Sequence, residues 1–196
     1  MIKNIIFDMG GVLIEWNPTL FLQRFGLTDK REIQIVLDNT VNKKHWHEYD
    51  MGMFDLDTLV KKCLRNTPEH LQKVTKEFAT NWASVSNTIE GMPEYINYLK
   101  KKGYKIFLLS NAGKNQPYYF RKFPYSYFNG RCVSAFYGVG KPDKKFYEAL
   151  LNKYNLKAEE CVFTDDVKAN VDSAKKLGIK AFVFKNTNKL KKDLQL

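Results

Sequence analysis

The chain has 196 residues, 44% of them hydrophobic, and its 32 basic and 21 acidic side chains leave a net charge of +11. That length suits one domain of moderate size, or a core with an insertion, and the apolar fraction is ample for one buried core. No apolar run approaches the ~18–20 residues of a membrane span, and Cys63, Cys132 and Cys161 are far apart with no CxxC pair, which excludes a disulfide framework.

The N-terminus enters a strand at once, without a signal peptide's pattern, so a cytoplasmic location is expected. The basic residues fall in scattered pairs and triples such as Lys100 to Lys102 and Lys175-Lys176, on polar helix faces and helix ends. No basic stripe interleaved with aromatics and no finger or helix-turn-helix signature accompanies them, so no nucleic-acid partner is expected. Attraction of anionic small molecules is the milder use of the same charge.

Ile5, Ile6 and Phe7 form a short apolar run that reads as a strand buried on both faces. It stops on Asp8, and Gly10-Gly11 let the backbone turn back closely. By itself Asp8 fits a turn cap as well as a ligand-binding acid. Residues 17 to 86 then read as four short helices and no strand. Asn17-Pro18 starts the first, residues 29–49 form the second, and Asp55 or Asp57 caps the third. The fourth runs from Pro68 to Trp82. Strand and helix alternate from Thr88: strands at Tyr104–Leu109, Arg131–Phe136, Cys161–Thr164 and Ile179–Phe184, with helices opening at Gly91-Met92-Pro93, Pro142 and Val167. This alternation gives a three-layer α/β core with a parallel, Rossmann-like sheet. The expected division is a core of residues 1–15 and 87–196, with a helical cap of 16–86 inserted after the first strand.

Three predicted strands end in polar residues: Asp8, Ser110-Asn111 and Asp165-Asp166. Parallel strands present those ends to one rim, where open α/β sheets bind ligands. A carboxylate beside a main-chain carbonyl and a second acidic cluster makes an all-oxygen site, suited to Mg2+ rather than zinc. The ion would offset repulsion between Asp8 and a phosphate, freeing Asp8 to attack phosphorus. Ser110, Asn111 and nearby backbone N–H groups would bind phosphoryl oxygens, and Lys141 would supply fixed positive charge. Asn170, one helical turn after Asp166, would orient the acidic loop.

Four segments carry a resemblance: Ile5–Leu13 (IIFDMGGVL), Leu108–Asn111 (LLSN), Gly140–Pro142 (GKP) and Phe163–Asn170 (FTDDVKAN). In that order, with helices after the first, they resemble the haloacid dehalogenase-like (HAD) hydrolase superfamily across essentially the whole chain. Within it, the chain is most similar to helical-cap sugar-phosphate phosphatases of the α-glucose-1-phosphatase type, whose first motif also reads Asp-x-Gly. The resemblance implies an aspartyl-phosphate on Asp8. It also implies Mg2+ held by Asp8, the carbonyl of Gly10 and Asp166, with Asp165 close by or acting through water.

The expected activity is therefore hydrolysis of a small phosphorylated metabolite, such as a sugar phosphate, by a monomer or homodimer. One departure stands out: where most such phosphatases carry a second Asp as general acid, this chain has Gly10. The cap residues His47 and Glu48 are candidates to replace it. Two rival readings follow, a metal-independent dehalogenase and a weakly active or non-catalytic phosphate binder. Trp16, entering the cap beside the motif loop, could line the pocket.

Overall fold

The computed structural model describes residues 1–114, 123 and 125–195. Its first strand, β1 (Asn4–Phe7), is buried at every position. A five-stranded parallel sheet is built on both sides of it in the order β3-β2-β1-β4-β5, from β2 (Lys105–Ser110), β3 (Gly130–Val133), β4 (Cys161–Asp165) and β5 (Lys180–Val183). The chain steps outward from β1 to β3, then crosses back to β4, so the connections diverge on either side of β1. A crevice opens at such a switch point, at the carboxyl ends of the strands.

Ile5 and Phe7 point to one face of the sheet and Ile6 to the other, which is why this strand carries no polar alternation. On the first face they meet α6 (Met92–Lys101) and α9 (Thr187–Leu194), through Ile96, Leu99 and Leu190. On the second, Ile6, Phe107 and Phe163 meet α7 (Lys144–Lys153) and α8 (Lys168–Lys176). These are the three layers. Among the described residues, no helix is long and apolar enough to cross a membrane.

Between β1 and α6 lies an all-helical cap of α1 (Pro18–Arg24), α2 (Lys30–Asn39), α3 (Lys44–Asp50), α4 (Leu56–Leu64) and α5 (Glu69–Val85). Asn17 caps α1 by accepting from Leu20 N–H, with Pro18 at the first helical position. The single helix expected over 29–49 is two helices, making five in place of four. Thr40 Oγ1 bonds back to the Val36 carbonyl and Asn42 N–H to the Leu37 carbonyl, which ends α2. Asp55, not Asp57, caps α4 through Thr58 N–H, and α5 continues past Trp82 to Val85. The strand expected over Arg131–Phe136 stops at Val133, because Ser134–Phe136 tightens into a 3-10 helix. Helix α7 starts at Lys144, capped by Asp143, not at Pro142.

The cap is packed onto the core. Its buried Phe21, Leu22 and Phe78 belong to the same apolar cluster as Ile5 and Phe7, joined through Val12, Leu13 and Ile14. Its two connections to the core run side by side. Glu15 N–H bonds the Asn87 carbonyl at 2.8 Å, and the Glu15 carboxylate takes up Asn87 N–H and the Arg24 guanidinium. Arg24 also donates to the Val85 carbonyl.

Candidate active site

Phe7 is in register with Leu108 on one side and Thr164 on the other. Asp8, Ser110 and Asp165 therefore leave the sheet within about a residue of one another. All three line or underlie one rim, and Asp8, Ser110, Asn111, Lys141, Asp166 and Asn170 line a single cavity of about 430 Å3.

After Asp8 the chain closes a tight loop, with Ile14 N–H bonded to the Met9 carbonyl and Gly11 N–H to the Ile14 carbonyl. Gly11 has a positive φ of 75°, and a Cβ there would lie 2.3 Å from Asp166 Oδ2. Only glycine allows both the turn and that approach. The loop thereby brings its backbone against the second acidic cluster. At Gly10 a Cβ would meet only Trp16, at ordinary contact distance.

Lys141 sits at the base of the cavity, 4% exposed. Its ammonium lies 2.7 Å from Asp8 Oδ1 and 2.6 Å from Asp165 Oδ2. Asn111 holds it there, its side-chain amide accepting from Lys141 N–H and donating to the Lys141 carbonyl, both at 2.8 Å. The Asn111 side chain thus holds the backbone of Lys141 while still lining the cavity. Both Asp165 oxygens are engaged. Oδ1 accepts from Val167 N–H and Asn170 Nδ2, and Oδ2 from Lys141 and Asn170 Nδ2. Asn170 is in turn held by Tyr147, whose hydroxyl donates to its carbonyl.

The charges explain the ionisation. Burial, opposed by Lys141 and reinforced by Asp165, pushes the Asp8 carboxyl up to about 7. Burial works against the Lys141 ammonium, but Asp8 and Asp165 outweigh it and hold that group above its usual value. Asp166 is raised by burial and by its neighbour Asp165.

Oxygens of Asp8, Asp165 and Asp166 lie within 4.8 Å of one another, and one lysine faces three carboxylates. Surplus negative charge on hard oxygen donors fits a divalent cation such as Mg2+. The Asp165 oxygens are already engaged by Lys141, Val167 and Asn170, so Asp8, Asp166 and the carbonyl of Gly10 would be the donors for it. A cation there would reverse the upward shifts of Asp8 and Asp166.

The cap residues weighed from sequence lie elsewhere. His47 is exposed, and Glu48 pairs with Lys44 at 3.2 Å. The cap carboxyl that lines the cavity is Asp50, at the end of α3. Burial, against a hydrogen bond from Gly113 N–H, pushes it up to about 7. The Asp50 carbonyl accepts from Ser134 Oγ at 2.5 Å, and that oxygen accepts from Ala112 N–H in the loop after β2. Sequence spacing carried no signal for Asp50, since its role comes from α3 docking on a loop more than sixty residues away.

A model of the haloacid dehalogenase-like hydrolases matches residues 2–178. The chain belongs to that family, and it is a hydrolase. Sesquiterpene phosphatase astK of Aspergillus oryzae is 28% identical over 90% of this chain and 87% of its own length. D-ribitol-5-phosphate phosphatase of Bacteroides thetaiotaomicron is 26% identical over 93% of this chain and 91% of its own. Among solved structures, a HAD family enzyme from B. thetaiotaomicron, in complex with magnesium and inorganic phosphate, has the same fold. Its TM-score is 0.74 at 21% identity, covering 95% of this chain and 96% of that one.

Proposed function

We propose that the chain is a Mg2+-dependent phosphatase that hydrolyses a small phosphomonoester through an aspartyl-phosphate on Asp8. The observation that carries this reading is the placement of Asp8 at the base of a cavity, against Lys141 and within 4.8 Å of the Asp165-Asp166 pair. The relatives named above are phosphatases of a polyol phosphate and of a sesquiterpene, and the matching solved structure holds magnesium and phosphate. A sugar phosphate is one substrate class within this reading and an apolar ester another.

Bound between Asp8, Asp166 and the Gly10 carbonyl, Mg2+ would neutralise charge between the nucleophile and the incoming phosphate. The other steps belong to the chain. Ser110 and the main-chain N–H groups after it hold phosphoryl oxygens, and Lys141 stabilises the charge that builds as Asp8 Oδ attacks phosphorus. Asp165 and Asn170 keep Lys141 in place. The ester oxygen leaves with a proton from Asp50, the cavity-lining cap carboxyl that burial keeps protonated near neutrality. Water then cleaves the acyl phosphate, with Asp50 taking up a proton. Residues 16–86 act as a lid that excludes water during transfer. Dehalogenation without metal gives no role to Asp166.

The test is a panel of phosphate esters assayed with Mg2+ and with EDTA, alongside Asp8→Asn. Turnover lost in EDTA and in the variant is expected. Activity that survives EDTA would falsify the metal-dependent reading.

A further inference from the structure

The cavity wall has a chemistry of its own, opposite in kind to that of its floor. The cap contributes Trp16, Pro18, Val41, Trp46 and Trp82, with Asn42 and Asp50 as its polar side chains. The tryptophans form a connected cluster, Trp16 standing edge-on to Trp82 at 4.7 Å and tilted to Trp46 at 6.5 Å. Phe21 stacks behind Trp82 at 5.6 Å and Phe78 behind Trp46 at 5.7 Å. Ring-on-ring packing therefore holds the tryptophans, while Trp16 keeps 38% of its surface open. Such a rigid aromatic wall costs little to order when a ligand arrives.

Charge narrows the choice further. Among the described lining residues the cation is Lys141, already engaged by Asp8 and Asp165. Among the described residues, no second cation lines the cavity for another phosphate or a carboxylate on the organic part. On the cap side, among the described residues, a polyol would have to bury several hydroxyls against indole rings with Asn42 and Asp50 as its polar side-chain partners, and an unpaired buried hydroxyl is costly.

We propose that the leaving group of the substrate is uncharged and largely apolar, and that it lies against Trp16, Trp46 and Trp82. This rests on the phosphatase reading and narrows its substrate class to alkyl, prenyl-like or aryl monophosphates over sugar phosphates. Each buried methylene is worth about fourfold in affinity, so selectivity accumulates along a chain until the cavity is full.

The experiment uses two probe series on the full chain. The first is kcat/KM with Mg2+ for n-alkyl monophosphates of increasing length, with glycerol and hexose monophosphates as polar counterparts. The second is binding of n-alkylphosphonates, which are not hydrolysed, followed by tryptophan fluorescence. The expected result is a rise of about three- to fourfold per methylene in both series, carried by KM with kcat nearly constant. Polar esters of equal size should be at least about tenfold poorer. Trp16→Ala, at the most exposed of the three rings, should flatten the slope in both series, so that long and short esters converge. Flat slopes, or polar esters equal to apolar ones, overturn the proposal and leave the phosphatase reading intact. A retained phosphonate slope with no turnover of any ester does the reverse: the ligand class stands and the hydrolytic reading falls.

Discussion

Replacing Asp50 by Asn separates the charge of the cap carboxyl from its shape. Asn keeps an oxygen for Gly113 N–H and cannot ionise. In the native chain burial lifts this carboxyl from 3.8 to about 7. Between those values the folded protein retains a proton that the unfolded chain has released, so stability falls as pH rises through the window and levels off above it. The interval, 7 − 3.8 = 3.2, corresponds to about 4 kcal/mol. Asp50 is only half-buried as a residue and borders the cavity, so solvent screening brings the working figure to about 2–3 kcal/mol.

Thermal unfolding in EDTA should therefore give matching Tm values near pH 4 for Asp50→Asn and the native protein. Above pH 7.5 the variant should unfold roughly 4–12 °C higher. Asp8 is pushed up as well, but it is present in both proteins, and the difference isolates Asp50. A gap of the same size at pH 4 and pH 8, or one favouring the native chain at high pH, refutes burial as the cause. The stabilised variant should also be the slower enzyme. On alkyl phosphates its kcat should fall by about 10²-fold or more, whereas with p-nitrophenyl phosphate, whose leaving group departs unprotonated, the first-turnover burst should change little while steady turnover slows.

Gly10→Asp restores an acid two residues after the nucleophile, where a Cβ meets only Trp16 at 3.5 Å. It should raise kcat on simple alkyl phosphates about tenfold or more, and a fall in well-folded protein would show that proton supply does not limit the rate. Gly11→Ala places a methyl 2.3 Å from Asp166 Oδ2 at a φ of 75°. We expect Mg2+ dependence to shift to much higher concentration, with a stability loss of about 1–3 kcal/mol, measurable by metal titration and denaturant unfolding. Lys141→Ala leaves Asp8 and Asp165 facing each other without their cation. Stability at pH 8 should drop by about 3–5 kcal/mol, with partial recovery on adding Mg2+; an unchanged midpoint would mean the pair is relieved in another way.

Much of the site was legible because its parts are marked locally. An apolar run ending on Asp8, another ending on Ser110 and a third ending on Asp165 each announce a buried strand and its rim, and parallel order brings the ends together. The Asn17-Pro18 start is equally local, since one side chain caps it. What sequence reading missed depended on distant partners. The break between α2 and α3 has no Gly or Pro: it comes from Thr40 and Asn42 bonding back to the preceding turn, inside an apolar pattern that runs on through Trp46 and Tyr49. Ser134 looked like a strand residue, yet its hydroxyl is drawn into a junction between the Asp50 carbonyl and Ala112 N–H. Asp50 was invisible for the same reason, because Tyr49 and Asp50 are placed by Gly113, where a Cβ would lie 2.1 Å from the Tyr49 ring. Only the folded loop reveals that the Asn111 amide also holds the backbone of Lys141.

The paired crossings at Glu15 and Asn87 have a mechanical meaning. Two separate tethers would let the helical layer slide and twist over the sheet. Stitched together by Glu15 and Arg24, they form a single joint, about which any opening of the layer would have to turn. The latch opposite that joint is the Ser134 hydroxyl, which grips the Asp50 carbonyl while holding the backbone that follows Ser110. Swinging open would therefore loosen the anion cradle at the moment inorganic phosphate has to depart.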